Sequence, residues 1–132
     1  MLCTLSLCFP LLGSEINVYF SHSVDTTIAN PSPARGFAAL DERLIDRIAA
    51  AQYSIDFCFY NIKRQNIVDT LIAAHSRGIQ VRIITEDDHI GNQAVQDLIN
   101  AGVTVIDDSF GANPSSNYMH NKFAVFDFRD ST

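Results

Sequence analysis

The sequence predicts an α/β domain with a largely parallel, mixed sheet, and three features lead there. Short runs rich in β-branched and aromatic residues alternate with stretches of helical periodicity. Two of the helical stretches run out at a glycine, Gly78 and Gly102, where the next strand-like run begins. The resulting order, strand–helix–strand–helix–strand–helix–strand–strand, is that of a layered α/β domain whose strands are joined by helical crossovers.

Ile16–His22 alternates Ile16, Val18 and Phe20 against Asn17, Tyr19 and Ser21, the pattern of a half-buried strand. A loop with Pro31, Pro33 and Gly36 follows. Phe37–Ala51 then places Phe37, Leu40, Leu44, Ile48 and Ala51 at steps of three and four, an amphipathic helix. Ser54–Tyr60 (SIDFCFY) reads as the second strand. Asn66 offers an N-cap to a helix with Val68, Leu71, Ile72 and His75 on one face. Ile79–Thr85 (IQVRIIT) is the third strand, Asn92–Ala101 a short helix with Val95, Leu98 and Ile99 inward, and Val103–Asp107 the fourth strand. After a polar loop, Asp108–Tyr118, the run His120–Phe128 (HNKFAVFDF) is again strand-like, and no helix closes the pattern behind it. The body therefore reads as C-terminally incomplete.

Composition removes several classes of function. With 132 residues and 47% hydrophobic content the chain suffices for one hydrophobic core. No apolar run reaches the length of a membrane-spanning helix. A formal charge of −6 argues against a protein that coats nucleic acid, because that affinity comes from Lys and Arg neutralising phosphates. Cys3, Cys8 and Cys58 form no CxxC pair, so neither a disulfide framework nor a cysteine zinc site is expected, and Cys58 reads as a small core residue.

Met1–Ser14 (MLCTLSLCFPLLGS) carries no charge and resembles the apolar region of a secretory signal with a small-residue exit at Gly13-Ser14. It lacks a positive n-region, and the competing reading is an apolar N-terminus left by a misassigned start. The first reading makes the protein secreted or periplasmic, with residues 15–132 as the folded body.

The chemistry lies in the last strand-like run. His120 and Lys122 are two apart, so on a strand both leave the same face, about 6–7 Å from each other along the chain. Asp127 has odd spacing from both and points to the other face of a regular strand, which suits holding the strand end rather than partnering His120 directly. Lys122 is a compact cation with three donors for a non-bridging phosphate oxygen. Its charge works against a second charge on the imidazole, leaving that ring to attack phosphorus. Attack gives a covalent phosphohistidine and splits hydrolysis into two easier steps, with a second positioned acid serving the leaving oxygen.

His120, Lys122 and Asp127 together form HxKxxxxD, and here the chain resembles the phospholipase D superfamily. Tyr53-Ser54-Ile55-Asp56 and the tyrosine closing Phe57-Cys58-Phe59-Tyr60 are similar to that family's first core strand. Arg77-Gly78-Ile79-Gln80-Val81-Arg82 is similar to its helix–glycine–strand step. The resemblance implies a layered αβα sandwich with a largely parallel mixed sheet, and a phosphodiesterase needing no cofactor and no metal. It implies His120 as nucleophile, or as acid when paired with its copy, Lys122 as phosphate ligand, and Asp127 as the third signature residue of the catalytic set. The family's site uses two such motifs, and this chain carries one, so a homodimer or a second motif supplied in trans is expected. The Gly-Ser-x-Asn segment and glutamate that follow the motif in the family do not occur before Thr132. Phospholipid head groups are the favoured substrate and nucleic acid the alternative. A non-catalytic fragment or association module is the reading from another class.

The remaining polar residues invite plainer expectations. Glu86, Asp87, Asp88 and His89 form an acidic run without the regular oxygen spacing of a calcium loop, and read as a solvated strand-to-helix connection, as do Asp107 and Asp108. His22 and His75 read as structural. Lys63 and Arg64 fit either a phosphate contact or a solvated turn.

Overall fold

A computed structural model describes residues 16–25, 27, 34–109 and 118–128. The signal-like segment Met1–Ser14, most of the proline loop and residues 110–117 of the polar loop lie outside the described residues. The chain divides into two units, Met1–Leu40 and Asp41–Thr132.

In the first unit the expected strand Ile16–His22 contracts to β1 (Val18–Tyr19), which pairs in parallel with β2 (Ala34–Arg35). The second of these strands is absent from the sequence expectation, since its residues follow two prolines and carry no alternation. Phe20 N–H donates to Arg35 O at 2.8 Å and Phe37 N–H to His22 O at 3.0 Å, so two residues of formal strand are extended by loop hydrogen bonds. A Cβ at Gly36 would stand 2.8 Å from His22 O, a distance only glycine avoids.

The second unit holds the site. Its elements are α1 (Leu40–Ala50), β3 (Ser54–Phe59), α2 (Gln65–Ser76), β4 (Gln80–Thr85), a short 3-10 turn (Asp87–His89), α3 (Gln93–Asn100), β5 (Thr104–Asp107) and β6 (Lys122–Phe126). They form a four-stranded sheet in the order β5-β4-β3-β6, with β3, β4 and β5 parallel and β6 antiparallel to β3. The largely parallel, mixed sheet read from the sequence is present.

Burial follows the pleat. Along β4, Val81, Ile83 and Thr85 are buried while Gln80, Arg82 and Ile84 are exposed. The buried set joins Ile55 and Phe59 of β3, Ile48 of α1, Ile67, Val68, Leu71 and Ala74 of α2, and Val95 and Leu98 of α3 in one core. All three helices therefore feed the same face. On the other face Ile106, Phe123 and Val125 are exposed, beside a bidentate Arg82–Asp56 pair with Nη2–Oδ2 at 2.8 Å. Two of the three layers of the expected sandwich are thus seen among the described residues.

Helix boundaries show which force sets them. Asn66 is not the N-cap: α2 starts at Gln65, Arg64 takes the cap position with no side-chain cap bond, and Asn66 Oδ1 accepts only the adjacent Ile67 N–H. A side-chain cap contributes about 1 kcal/mol. Burying Ile67, Val68 and Leu71 contributes about 1.5–3 kcal/mol each, so packing outweighs the cap. The helix exits agree with expectation, as Gly78 and Gly102 adopt φ of 90° and 86°.

Candidate functional site

The sheet topology brings one end of β6 to the carboxyl ends of the parallel strands. Lys122 pairs with Phe59, the last residue of β3, so the residues just before β6 stand beside Tyr60, which follows β3, and near Glu86, which follows β4. In open α/β sheets this is the edge where ligands bind.

Tyr60 is the centre of the arrangement. The His120 ring meets it edge-on at 4.6 Å between centroids, and the His89 ring meets it at 4.7 Å. Lys122 Nζ lies 5.4 Å from the Tyr60 centroid, within cation–π range. Tyr118 stacks with His120 at 6.2 Å. Burial first, then the neighbouring Tyr118 and the charges of Glu86 and Asp88, push the Tyr60 phenol up, which keeps it a protonated donor.

His120 and Lys122 both converge on the Tyr60 ring. Lys122 Nζ donates to the backbone oxygen of His120 at 2.8 Å, which ties the ammonium to the segment that carries the imidazole. The strand itself is shorter than expected: the ladder begins at Lys122, and His120 stands two residues outside it.

Asp127 is separated from them. It lies five residues beyond Lys122, about 17 Å along the strand. There its N–H donates to Ser54 O at 2.8 Å, and its Oδ1 accepts Gln52 N–H at 2.7 Å and Tyr53 N–H at 2.8 Å. With φ of 57° it turns the chain out of the strand. The third signature residue therefore fastens the α1–β3 connection to the end of β6 and stands apart from the imidazole.

The acidic run departs from the solvated loop expected for it. Asp87, Asp88 and His89 form the 3-10 turn, but Glu86 is 0% exposed. Its Oε2 accepts the Met119 N–H, and Asp108 Oδ1 accepts the Asp87 N–H at 2.9 Å. Carboxylate oxygens of Glu86, Asp87 and Asp88 lie within 4.8 Å of one another, the one such group among the described residues. His89 is no bystander either. Asn92 Nδ2 donates to Asn61 Oδ1 at 3.4 Å, so the Asn61 amino group faces His89 Nε2, 3.3 Å away, and that nitrogen is the acceptor.

Of the other residues weighed from sequence, Arg64 pairs with Asp41 at 2.9 Å. Cys58 is buried with its Sγ 3.4 Å from Met119 Sδ, and burial pushes its thiol up, away from reactivity. His75 sits under Gly102, consistent with a structural role. Sequence reasoning missed Asn61 and Tyr118, and assigned Glu86 and His89 to a solvated connection. The available signal was position: Tyr60, Asn61 and Glu86 directly follow the carboxyl ends of parallel strands.

Comparison with known proteins bears on this arrangement. The family model described as "Cardiolipin synthase, PLD-like domain" matches residues 44–132. The chain belongs to the phospholipase D-like family.

Among curated relatives of this phospholipase D-like chain, the mitochondrial cardiolipin hydrolase of Xenopus tropicalis is 37% identical over 87 residues, 64% of this chain and 39% of that protein. The Chlamydomonas reinhardtii protein of the same name is 32% identical over 89 residues, 66% of this chain and 38% of that protein. The chain thus spans well under two-thirds of the length of these relatives. Two solved structures share the fold. Nuc from Salmonella typhimurium, described as a phospholipase D family member, superposes with a TM-score of 0.56 at 23% identity, covering 66% of this chain and 57% of that one. NucT from Helicobacter pylori gives 0.52 at 26% identity, covering 65% and 58%. No helix among the described residues is long and apolar enough to cross a membrane.

Proposed function

We propose that this chain carries one half-site of a phosphodiesterase of the phospholipase D type, acting on phospholipid phosphodiesters through a phosphohistidine. The observation that carries the reading is the convergence of His120 and Lys122 on Tyr60 at the carboxyl edge of the sheet. The His120 imidazole attacks phosphorus, and the bond to the leaving alcohol oxygen breaks as the nitrogen–phosphorus bond forms. An acid protonates the leaving oxygen. Water then attacks phosphorus, its proton returns to that same acid group acting as base, and the histidine is released. Lys122 spends one donor on the His120 backbone oxygen and presents two to a phosphate oxygen. The acid is His120 of a second copy, so the working species is a homodimer or a complex that supplies a second motif. The phospholipid preference rests on the relatives named cardiolipin hydrolase.

The test is phosphoryl trapping from 32P-labelled phospholipid in cardiolipin-containing vesicles, with wild type beside His120→Ala, and plasmid nicking run in parallel. Label on wild type alone supports the reading. Nicking without turnover of vesicles overturns the substrate class, and equal behaviour of wild type and variant overturns the chemistry.

A further inference from the structure

The proposed chemistry does not use Glu86, yet its setting demands an explanation. A carboxylate is rarely fully buried without partners for both oxygens. Here Oε2 accepts the Met119 N–H, while Oε1 is buried with no hydrogen-bond partner among the described residues. The residue is held in an environment that opposes its charge: burial foremost, then Asp108 and Asp87, push its pKa above the ordinary carboxylate value, against the lowering effect of the Met119 N–H.

What Glu86 holds is a segment the sheet does not. The ladder between β3 and β6 starts at Lys122, so Met119, His120 and Asn121 precede the first register pair. β4 and β6 lie on opposite sides of β3, so the Glu86 side chain reaches past the end of β3 to Met119. A second fastening comes from the Met119 sulfur beside Cys58 Sγ. On the other side of His120, its backbone oxygen receives Lys122 Nζ. The nucleophile candidate therefore hangs between two polar tethers, and only one of them involves a motif residue.

We propose that Glu86 is a positioning residue: by accepting the Met119 N–H inside the sheet's carboxyl edge, it sets the backbone from which His120 presents its ring to the phosphodiester. The proposal rests on His120 as nucleophile. A side-chain oxygen at this reach is the requirement, so glutamine satisfies it and alanine does not.

The test compares Glu86→Ala and Glu86→Gln with the unmodified full chain. Nuclear magnetic resonance reads the Met119 amide exchange and the His120 ring signals, which feel the Tyr60 and Tyr118 rings. Turnover is measured on cardiolipin-containing vesicles. In the alanine variant, Met119 exchange accelerates about tenfold, the His120 ring signals move, and kcat falls about 10- to 100-fold with KM little changed. Glutamine restores all of these. A folded alanine variant with wild-type Met119 exchange and His120 signals overturns the proposal. So does a glutamine variant that keeps Met119 protected but loses turnover, the result expected if the negative charge, for instance on a bound divalent cation, were what mattered. That glutamine arm decides the matter if the alanine chain does not fold. Should wild type and His120→Ala turn over alike, the nucleophile reading falls, while the exchange and ring signals still decide whether Glu86 positions the ring.

Discussion

At its first residue β6 brings an ammonium group to a cluster of four aromatic or imidazole rings, whereas just past its last residue a single carboxylate gathers backbone N–H groups. At the first end two different side chains hold the residues ahead of the ladder, Lys122 on the His120 oxygen and Glu86 on the Met119 N–H, and the Tyr60 ring lies between two imidazoles. The other end is joined by Asp127, which touches backbone at Gln52, Tyr53 and Ser54. One sequence motif thus feeds two places with different physics, a cluster of rings and an ammonium group at the open carboxyl edge of the sheet and a backbone fastening at the opposite edge. A signature written as three residues need not mean three residues in one site.

The sharpest way to break this division is at the proposed nucleophile. His120→Ala is expected to abolish phosphoryl labelling and lower turnover by at least about 10³-fold, while thermal unfolding of the variant stays close to wild type. Lys122→Ala comes next, with a loss of about 10²-fold read mostly in kcat, as for removal of a group that meets developing charge on phosphate. If either variant loses stability before activity, the first end of β6 is a fastening as well.

Asp127 tests the opposite side of the comparison. Asp127→Ala removes an acceptor serving two N–H groups and places a β-carbon residue at positive φ without a compensating local bond. The expected loss is about 2 kcal/mol in denaturant unfolding. Asp127→Asn keeps the acceptor oxygen and tolerates the left-handed backbone, so it is expected to be nearly neutral. A large drop in turnover by the asparagine variant, with stability unchanged, would return Asp127 to the chemistry.

The smallest effect is expected in the pH dependence of stability that Glu86 confers. Its pKa is raised in the folded chain, so between the ordinary carboxylate value and the raised one the native state binds more protons than the unfolded state. Stability therefore falls as pH rises through that window and levels off above it. Glu86→Gln is expected to flatten this slope, which urea unfolding at several pH values measures.

Much of this was legible in the residues. The crossovers from β3 to β5 followed from periodicity and from two glycines that terminate helices, because those features act over a few neighbouring residues. The two-residue repeat of an extended chain suggested one face for His120 and Lys122, but His120 lies ahead of the ladder and it is the Tyr60 ring on which both converge. Glu86 was misread for the opposite reason. Between Thr85 and Asp87 it looks like one of several solvated acids, and only the docking of Met119, 33 residues later, buries it. His89 and Asn61 were likewise invisible, since their contact spans two crossover connections. The N-cap assigned to Asn66 failed because burial of Ile67, Val68 and Leu71 contributes more than any local cap.

The fastening at Asp127 also orders events in time. It ties residue 127 to residues 74 and 75 positions earlier, among the most distant contacts in the second unit. By contrast β3, β4 and β5 are linked by consecutive crossovers and can pair as soon as each helix forms. Closing the longer loop carries a larger entropic penalty, and non-local pairing of this kind slows folding. During synthesis the parallel strands emerge before β6, so a nascent chain can bury Ile55, Val81 and Leu98 while His120 and Lys122 are still absent from the Tyr60 ring. The cluster around Tyr60 therefore assembles after the parallel core, and is lost before it when β6 detaches.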